Sequence, residues 1–282
     1  MRIFCGIPTA AATLHFYGAA GIACLGWALA RLLHFGNAHD IAILFAGALL
    51  IYNIDRLKPD PADAINVPGR SENSARLQRA SLVVAAVSAC ALAAIPLVMR
   101  DWLLLLLTGA GAFVCVNYSV PVFGFRLKDV PLLKTFFAPG AVAVACLALP
   151  LMQQGLRVPA AHFAIASAWT FAFLFFNMTL CDLRDIAGDR ANGTISVPVF
   201  LGKKITMRLL AVLVILLAAL AFAGARTAPR QEAARWLLLA VAATVYPGGL
   251  LVALKKPRTE SFHAWWVEGM LFVPALAVVA TA

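Results

Sequence analysis

Three carboxylates, Asp182, Asp185 and Asp189, stand at i, i+3 and i+7 directly after Trp169 to Cys181, a run without a single charge. On a helix each residue turns the chain by about 100°, so the three fall within about 60° of one another. Anions that close repel unless something cationic lies between them. Oxygen donors on one face suit a hard cation such as Mg²⁺, which takes few protein carboxylates and completes its shell with substrate phosphates. The structural alternative is a solvated acidic connector between two helices.

The elements that must carry this cluster are set by composition. The chain has 282 residues, 62% of them hydrophobic and 13% charged, with mean hydropathy +0.87. A soluble domain needs more polar surface than this, so the pattern is that of an all-α polytopic membrane protein, one domain over 1–282. Nine apolar segments approach the ~20 residues of a bilayer span. They run Thr13–Leu33, Ile41–Ile54, Leu77–Met99, Trp102–Tyr118, Pro131–Met152, Ala160–Cys181, Ile205–Ala225, Trp236–Leu254 and Ala264–Thr281. The net charge of +10 does not indicate nucleic acid, because the basic residues flank apolar segments instead of forming one patch. Six cysteines are scattered without CxxC spacing, which supports neither a disulfide framework nor a zinc site.

With the N-terminus in the cytoplasm, seventeen of the 23 Lys and Arg fall inside, which predicts an N-in, C-out topology. Ten of the 13 acids fall on that side too. Acids contribute little to orientation, so chemistry at the cytoplasmic face is a reason to keep them there.

Two more loops on that side carry candidates. After the second segment come Asn53, Asp55, Arg56, Lys58, Asp60, Asp63 and Arg70, interrupted by Pro59 and Pro61. The prolines predict that the helix ends near Asp55–Lys58 and that a turn follows. Such a turn swings Asp60 and Asp63 towards Asp182 and Asp189, leaving Asp55 on the helix beside Arg56 or Lys58. After the fourth segment come Tyr118, Ser119, Pro121, Arg126, Lys128, Asp129 and Lys134. Arg offers a fork of donors and Lys a point charge, so this loop suits a diphosphate. An ordinary charged connector and topological ballast are the competing explanations of the two loops.

The second motif with its tail, Asp182-x-x-Asp185-x-x-x-Asp189-x-x-x-Gly193-Thr194-x-x-x-Pro198, resembles that of the UbiA family of intramembrane prenyltransferases. Tyr118-Ser119-x-Pro121 with Lys128 is similar to a second stretch of that family. The first motif departs from it, since Asn53, Asp55, Asp60 and Asp63 do not overlay the usual Asn-Asp-x-x-Asp-x-x-x-Asp in one register. The resemblance implies nine helices around a central cavity with a cytoplasmic mouth. It also implies Mg²⁺-dependent transfer of a polyprenyl group from its diphosphate to an aromatic or lipophilic acceptor within membrane lipid. Asp55, Asp60, Asp63, Asp182, Asp185 and Asp189 are then metal ligands. Asn53, Tyr118, Arg70, Arg126, Lys128 and Lys134 are substrate contacts, with Tyr118 and Lys128 also catalytic. Phe171, Phe173, Phe175 and Phe176 could wall an allylic cation. The alternatives are a terpene cyclase of the same family and a non-enzymatic transporter.

Overall fold

A computed structural model describes residues 15–57, 61–66, 68–121 and 124–281, without the side chains of 68–75 and 231. Asp60, Lys58, Pro59 and the start of the first expected segment lie outside the described residues, as does the Arg70 side chain.

Among the described residues there is helix and no strand. The long helices are α1 (Phe16–Leu33), α2 (Ala38–Leu57), α4 (Pro68–Met99), α5 (Trp102–Ser119), α6 (Leu133–Gln154), α7 (Ala160–Ala191), α9 (Lys203–Thr227) and α10 (Arg230–Ala253). Short helices α3 (Pro61–Asn66) and α8 (Val197–Leu201) follow α2 and α7. The chain closes with α11 (Glu260–Phe262), a π turn at His263–Val267, a 3₁₀ stretch at Glu268–Phe272 and α12 (Val273–Val279).

Eight spans among the described residues are long and apolar enough to cross a membrane, the last being Glu260–Val279. The segment expected at Ile41–Ile54 lies within α2, which is 20 residues long but stands outside those eight. Polar residues occupy both of its ends, with Asp40 in the first turn and Asn53, Asp55 and Arg56 near the last. Eight spans thus meet both length and composition among the described residues, against the nine expected.

The core forms where α7 runs through the bundle, packed on α6, α9 and α3. Trp169, Phe173 and Phe176 of α7 are fully buried, as are Leu210 of α9 and Trp236 of α10. α4 and α5 bury far less of their length, with Leu82, Val83, Val87, Leu103 and Leu106 exposed, as suits helices that border lipid.

The last span is irregular at depth, and irregular backbone in a membrane survives only where its polar groups find partners. Three side chains from three helices supply them to consecutive carbonyls. Tyr17 of α1 donates to Trp265 O at 3.3 Å, Tyr246 of α10 to Trp266 O at 2.8 Å, and Asn177 of α7 to Val267 O at 2.6 Å.

Candidate active site

The two carboxylates seven residues apart on α7 do share a face. Asp182 and Asp189 are both buried, at 6% and 4% exposure. Between them sits the ammonium of Lys134, from the first turn of α6. Its Nζ is 2.7 and 2.6 Å from Asp189 Oδ1 and Oδ2 and 3.4 Å from Asp182 Oδ1.

Local backbone explains how Lys134 arrives there. Leu132, just ahead of α6, has φ 64°, a left-handed conformation that costs an ordinary residue roughly 1–2 kcal/mol. Its N–H donates to Ile195 O at 2.7 Å, which ties the entry of α6 to the tail of the second motif. The next-door Thr135 completes the tie. Its hydroxyl donates to Asp182 Oδ2 and accepts from the Val197 N–H, both at 3.0 Å. Gly193, at φ 73°, lets the tail fold back, and the Thr194 N–H then caps the carbonyl of Asp189 at 2.9 Å.

Asp185 does not join this pair. It forks onto its neighbour Arg184, with N···O distances of 2.7 and 3.0 Å.

The first motif is built differently. α2 ends at Leu57, and α3 begins with Pro61 at its first helical position, where a missing N–H costs nothing. α3 docks on α7 at Gly188, whose N–H donates to Asn66 Oδ1 at 2.7 Å. A Cβ at Gly188 would lie 2.5 Å from the Ala62 carbonyl oxygen, so only glycine permits this approach. Asp63 is thereby carried to the α7 side of the molecule, but its carboxylate takes Arg56 Nη1 at 2.6 Å. Arg56 Nε also reaches His15 Nε2 at 3.1 Å, and the His15 ring stacks on Tyr52. Asp55 stays on its helix, and its hydrogen-bonded cation is Lys128 of the loop after α5, at 3.1 Å. Asn53 is buried and donates to Leu49 O within its own helix.

In the basic loop, Arg126 forks onto Asp129 at 2.8 and 2.7 Å. Tyr118 stacks on Phe137, with centroids 5.1 Å apart. The four phenylalanines of α7 divide: Phe173 and Phe176 lie in the core, while Phe171 and Phe175 run towards Phe136 of α6.

Thr135, Asn66 and Gly188 hold the site together and were not singled out in the sequence. The one signal for Thr135 was a hydroxyl placed beside Lys134 at the mouth of an apolar run.

Among the described residues no group of three or more His, Cys, Asp or Glu side chains is gathered to hold a metal. Two carboxylates are gathered, Asp182 and Asp189, and they offer only hard oxygen donors. That donor set fits Mg²⁺, which is commonly bound through one or two carboxylates plus substrate phosphates.

A bundle of helices long and apolar enough to cross a membrane, with a buried carboxylate pair, defines the class: an integral membrane protein. The model of the UbiA prenyltransferase family matches residues 52–273, and the chain belongs to that family. Its fold is similar to that of the apo UbiA homolog from Aeropyrum pernix K1, with TM-score 0.63 and 14% identity over 94% of this chain and 97% of that one. It is also similar to the UbiA homolog from Archaeoglobus fulgidus bound to DMAPP and Mg²⁺, with TM-score 0.57 and 14% identity over 97% and 99% of the two chains. A structure of digeranylgeranylglyceryl phosphate synthase matches with TM-score 0.53 and 15% identity over 96% of each chain. No curated protein matches the sequence.

Proposed function

We propose that the chain is a Mg²⁺-dependent prenyltransferase, moving a polyprenyl group from its diphosphate to a lipophilic or aromatic acceptor. The observation that carries this reading is a charge imbalance: two buried carboxylates share one ammonium. A buried anion without full compensation is costly, and a bound divalent cation relieves it. The Archaeoglobus fulgidus homolog holds DMAPP and Mg²⁺, so the ligands this imbalance calls for are those a protein of this fold accommodates.

Asp182 and Asp189 would hold the metal, with Asp185, Asp55, Asp60 and Asp63 as further candidates. Mg²⁺ bound there would neutralise the diphosphate and stabilise it as a leaving group. Lys134, which stands against both carboxylates, would be a donor to a diphosphate oxygen. Lys128, Arg126 and Arg70 are the other candidate donors to the head group, with Asn53 and Tyr118 as further candidate substrate contacts. The allylic C–O bond breaks with its electron pair leaving on the diphosphate. Phe171 and Phe175, stacked on each other, are the candidates to shield the cation from water. A nucleophilic carbon or oxygen of the acceptor then bonds to the cation and loses a proton. By the distribution of Lys and Arg, this end of the bundle faces the cytoplasm, with the C-terminus outside.

The test is release of diphosphate from labelled prenyl diphosphates of several lengths, by membranes holding the protein, with and without a panel of acceptors and with Mg²⁺ or EDTA. Release that requires both an acceptor and Mg²⁺ is expected. Release without any acceptor would mean a cyclase, and none under any combination would overturn the enzymatic reading.

A further inference from the structure

We propose that the groove between α9 and α10, together with the basic recess at its end, is a binding site for an anionic phospholipid. The site is separate from the carboxylate pair: neither cavity is lined by Asp55, Lys134, Asp182 or Asp189.

The groove encloses about 400 Å³ and is walled by Met207, Ala211 and Val214 of α9 and Gly248, Leu251 and Val252 of α10. Gly248 leaves one position of the α10 wall without a side chain. A Cβ added at Gly248 or Gly249 meets nothing within 4 Å. Arg208 and Lys255 flank its charged end. Met207 also lines a second recess, of about 190 Å³, so the two lie against the same side chain. That recess is formed where the start of α9 meets the loop after α10, and Lys203, Lys256, Arg258 and Arg184 line it.

Two of these cations are already engaged. Arg184 is forked by Asp185, and Arg258 donates to Ala253 O at 2.8 Å while lying 5.3 Å above the Phe262 ring. Lys203 and Lys256 are exposed and make no ion pair among the described residues. Glu260, beside Arg184, is the nearby carboxylate.

An apolar trough lined by Arg208 and Lys255, beside a recess lined by Lys203 and Lys256, is complementary to an acyl chain below an anionic head group. Topological charge bias accounts for how many cations lie on this face. It does not account for their gathering beside an apolar groove. A free phosphate would use the recess and leave the groove empty, so an amphiphile uses both parts.

The experiment is native mass spectrometry of the detergent-solubilised full chain titrated with phosphatidylglycerol, phosphatidylcholine, inorganic phosphate or geranyl diphosphate. The wild type is expected to retain phosphatidylglycerol in preference to phosphatidylcholine. Lys203→Ala with Lys256→Ala should weaken it about thirtyfold, the value of two cations near an anionic surface. Gly248→Leu fills the trough without touching a charge and should weaken it as well. Equal retention of both lipids, or unchanged retention in both variants, overturns the proposal. So does displacement of phosphatidylglycerol by inorganic phosphate or geranyl diphosphate at equal concentration, which would make the recess an anion or donor site.

Discussion

The two Asp-rich regions neutralise their acids by different rules. In the first, two cations serve the two described carboxylates: Lys128 bonds Asp55, and Arg56 bonds Asp63 and also stands near Asp55. In the second, Asp185 has Arg184, but Asp182 and Asp189 divide a single Lys134. The contrast follows from backbone. An unbroken helix holds residues two turns apart on one side, so Asp182 and Asp189 cannot avoid each other. In the first region Asp55 lies in α2 and Asp63 in α3, and each finds a partner in its own neighbourhood. Among the described residues, the two carboxylates that share one cation are therefore both on α7.

If that asymmetry governs catalysis, the largest effects belong to the second region. Asp182→Asn and Asp189→Asn should each lower kcat/KM by on the order of 10²–10³, the usual scale for losing one electrostatic anchor of a developing charge. Asp55→Asn should cost at least tenfold less. Assays of all three across a Mg²⁺ titration decide this. An Asp55→Asn enzyme as impaired as Asp189→Asn would put a metal on the first region and abolish the contrast.

Next comes stability. Lys134→Met removes the shared ammonium and strands two buried carboxylates, which typically costs roughly 3 kcal/mol or more. In EDTA the variant should melt well below the wild type, and Mg²⁺ should restore most of the difference. Melting of the detergent-solubilised protein followed with and without Mg²⁺ reads this directly. A variant as stable as the wild type in EDTA would show that the pair is not held ionised by Lys134.

The helices were legible because a bilayer span needs a long apolar run, and such runs survive any detail of packing. The face shared by Asp182 and Asp189 was legible because helical periodicity is local. The turn expected from Pro59 and Pro61 falls on residues 58–60, outside the described residues, between a helix described to Leu57 and one that starts at Pro61. Partner choice was not legible. Lys134 reaches α7 because Leu132 adopts a positive φ and bonds to Ile195, contacts between residues far apart in the chain. Asp185 turned to Arg184 because a fork-shaped cation stood next to it, a competition that periodicity cannot score. The π turn in the last span was equally hidden, since its cost is met by Tyr17, Tyr246 and Asn177 from three other helices.

The smallest effect separates a working contact in the first region from an incidental one. Lys128 and Asp55 meet at 3.1 Å with side chains 13% and 34% exposed. Lys128 is no more exposed than Lys134, at 18%, but water and ions reach the Asp55 carboxylate more readily than those of Asp182 and Asp189, at 9% and 6%. A double-mutant cycle of Asp55→Ala and Lys128→Ala, read by thermal unfolding, should therefore give a coupling of about 0.5–1 kcal/mol. In the same variants Lys128→Ala should raise the KM for the prenyl diphosphate more than that for the acceptor, because a point charge on the head group is lost. Asp55→Ala leaves that charge in place and should move the donor KM little. A coupling that equals the cost of Lys134→Met would make the two regions equivalent. A rise in acceptor KM alone would take Lys128 off the diphosphate and leave it as a brace for the end of α2.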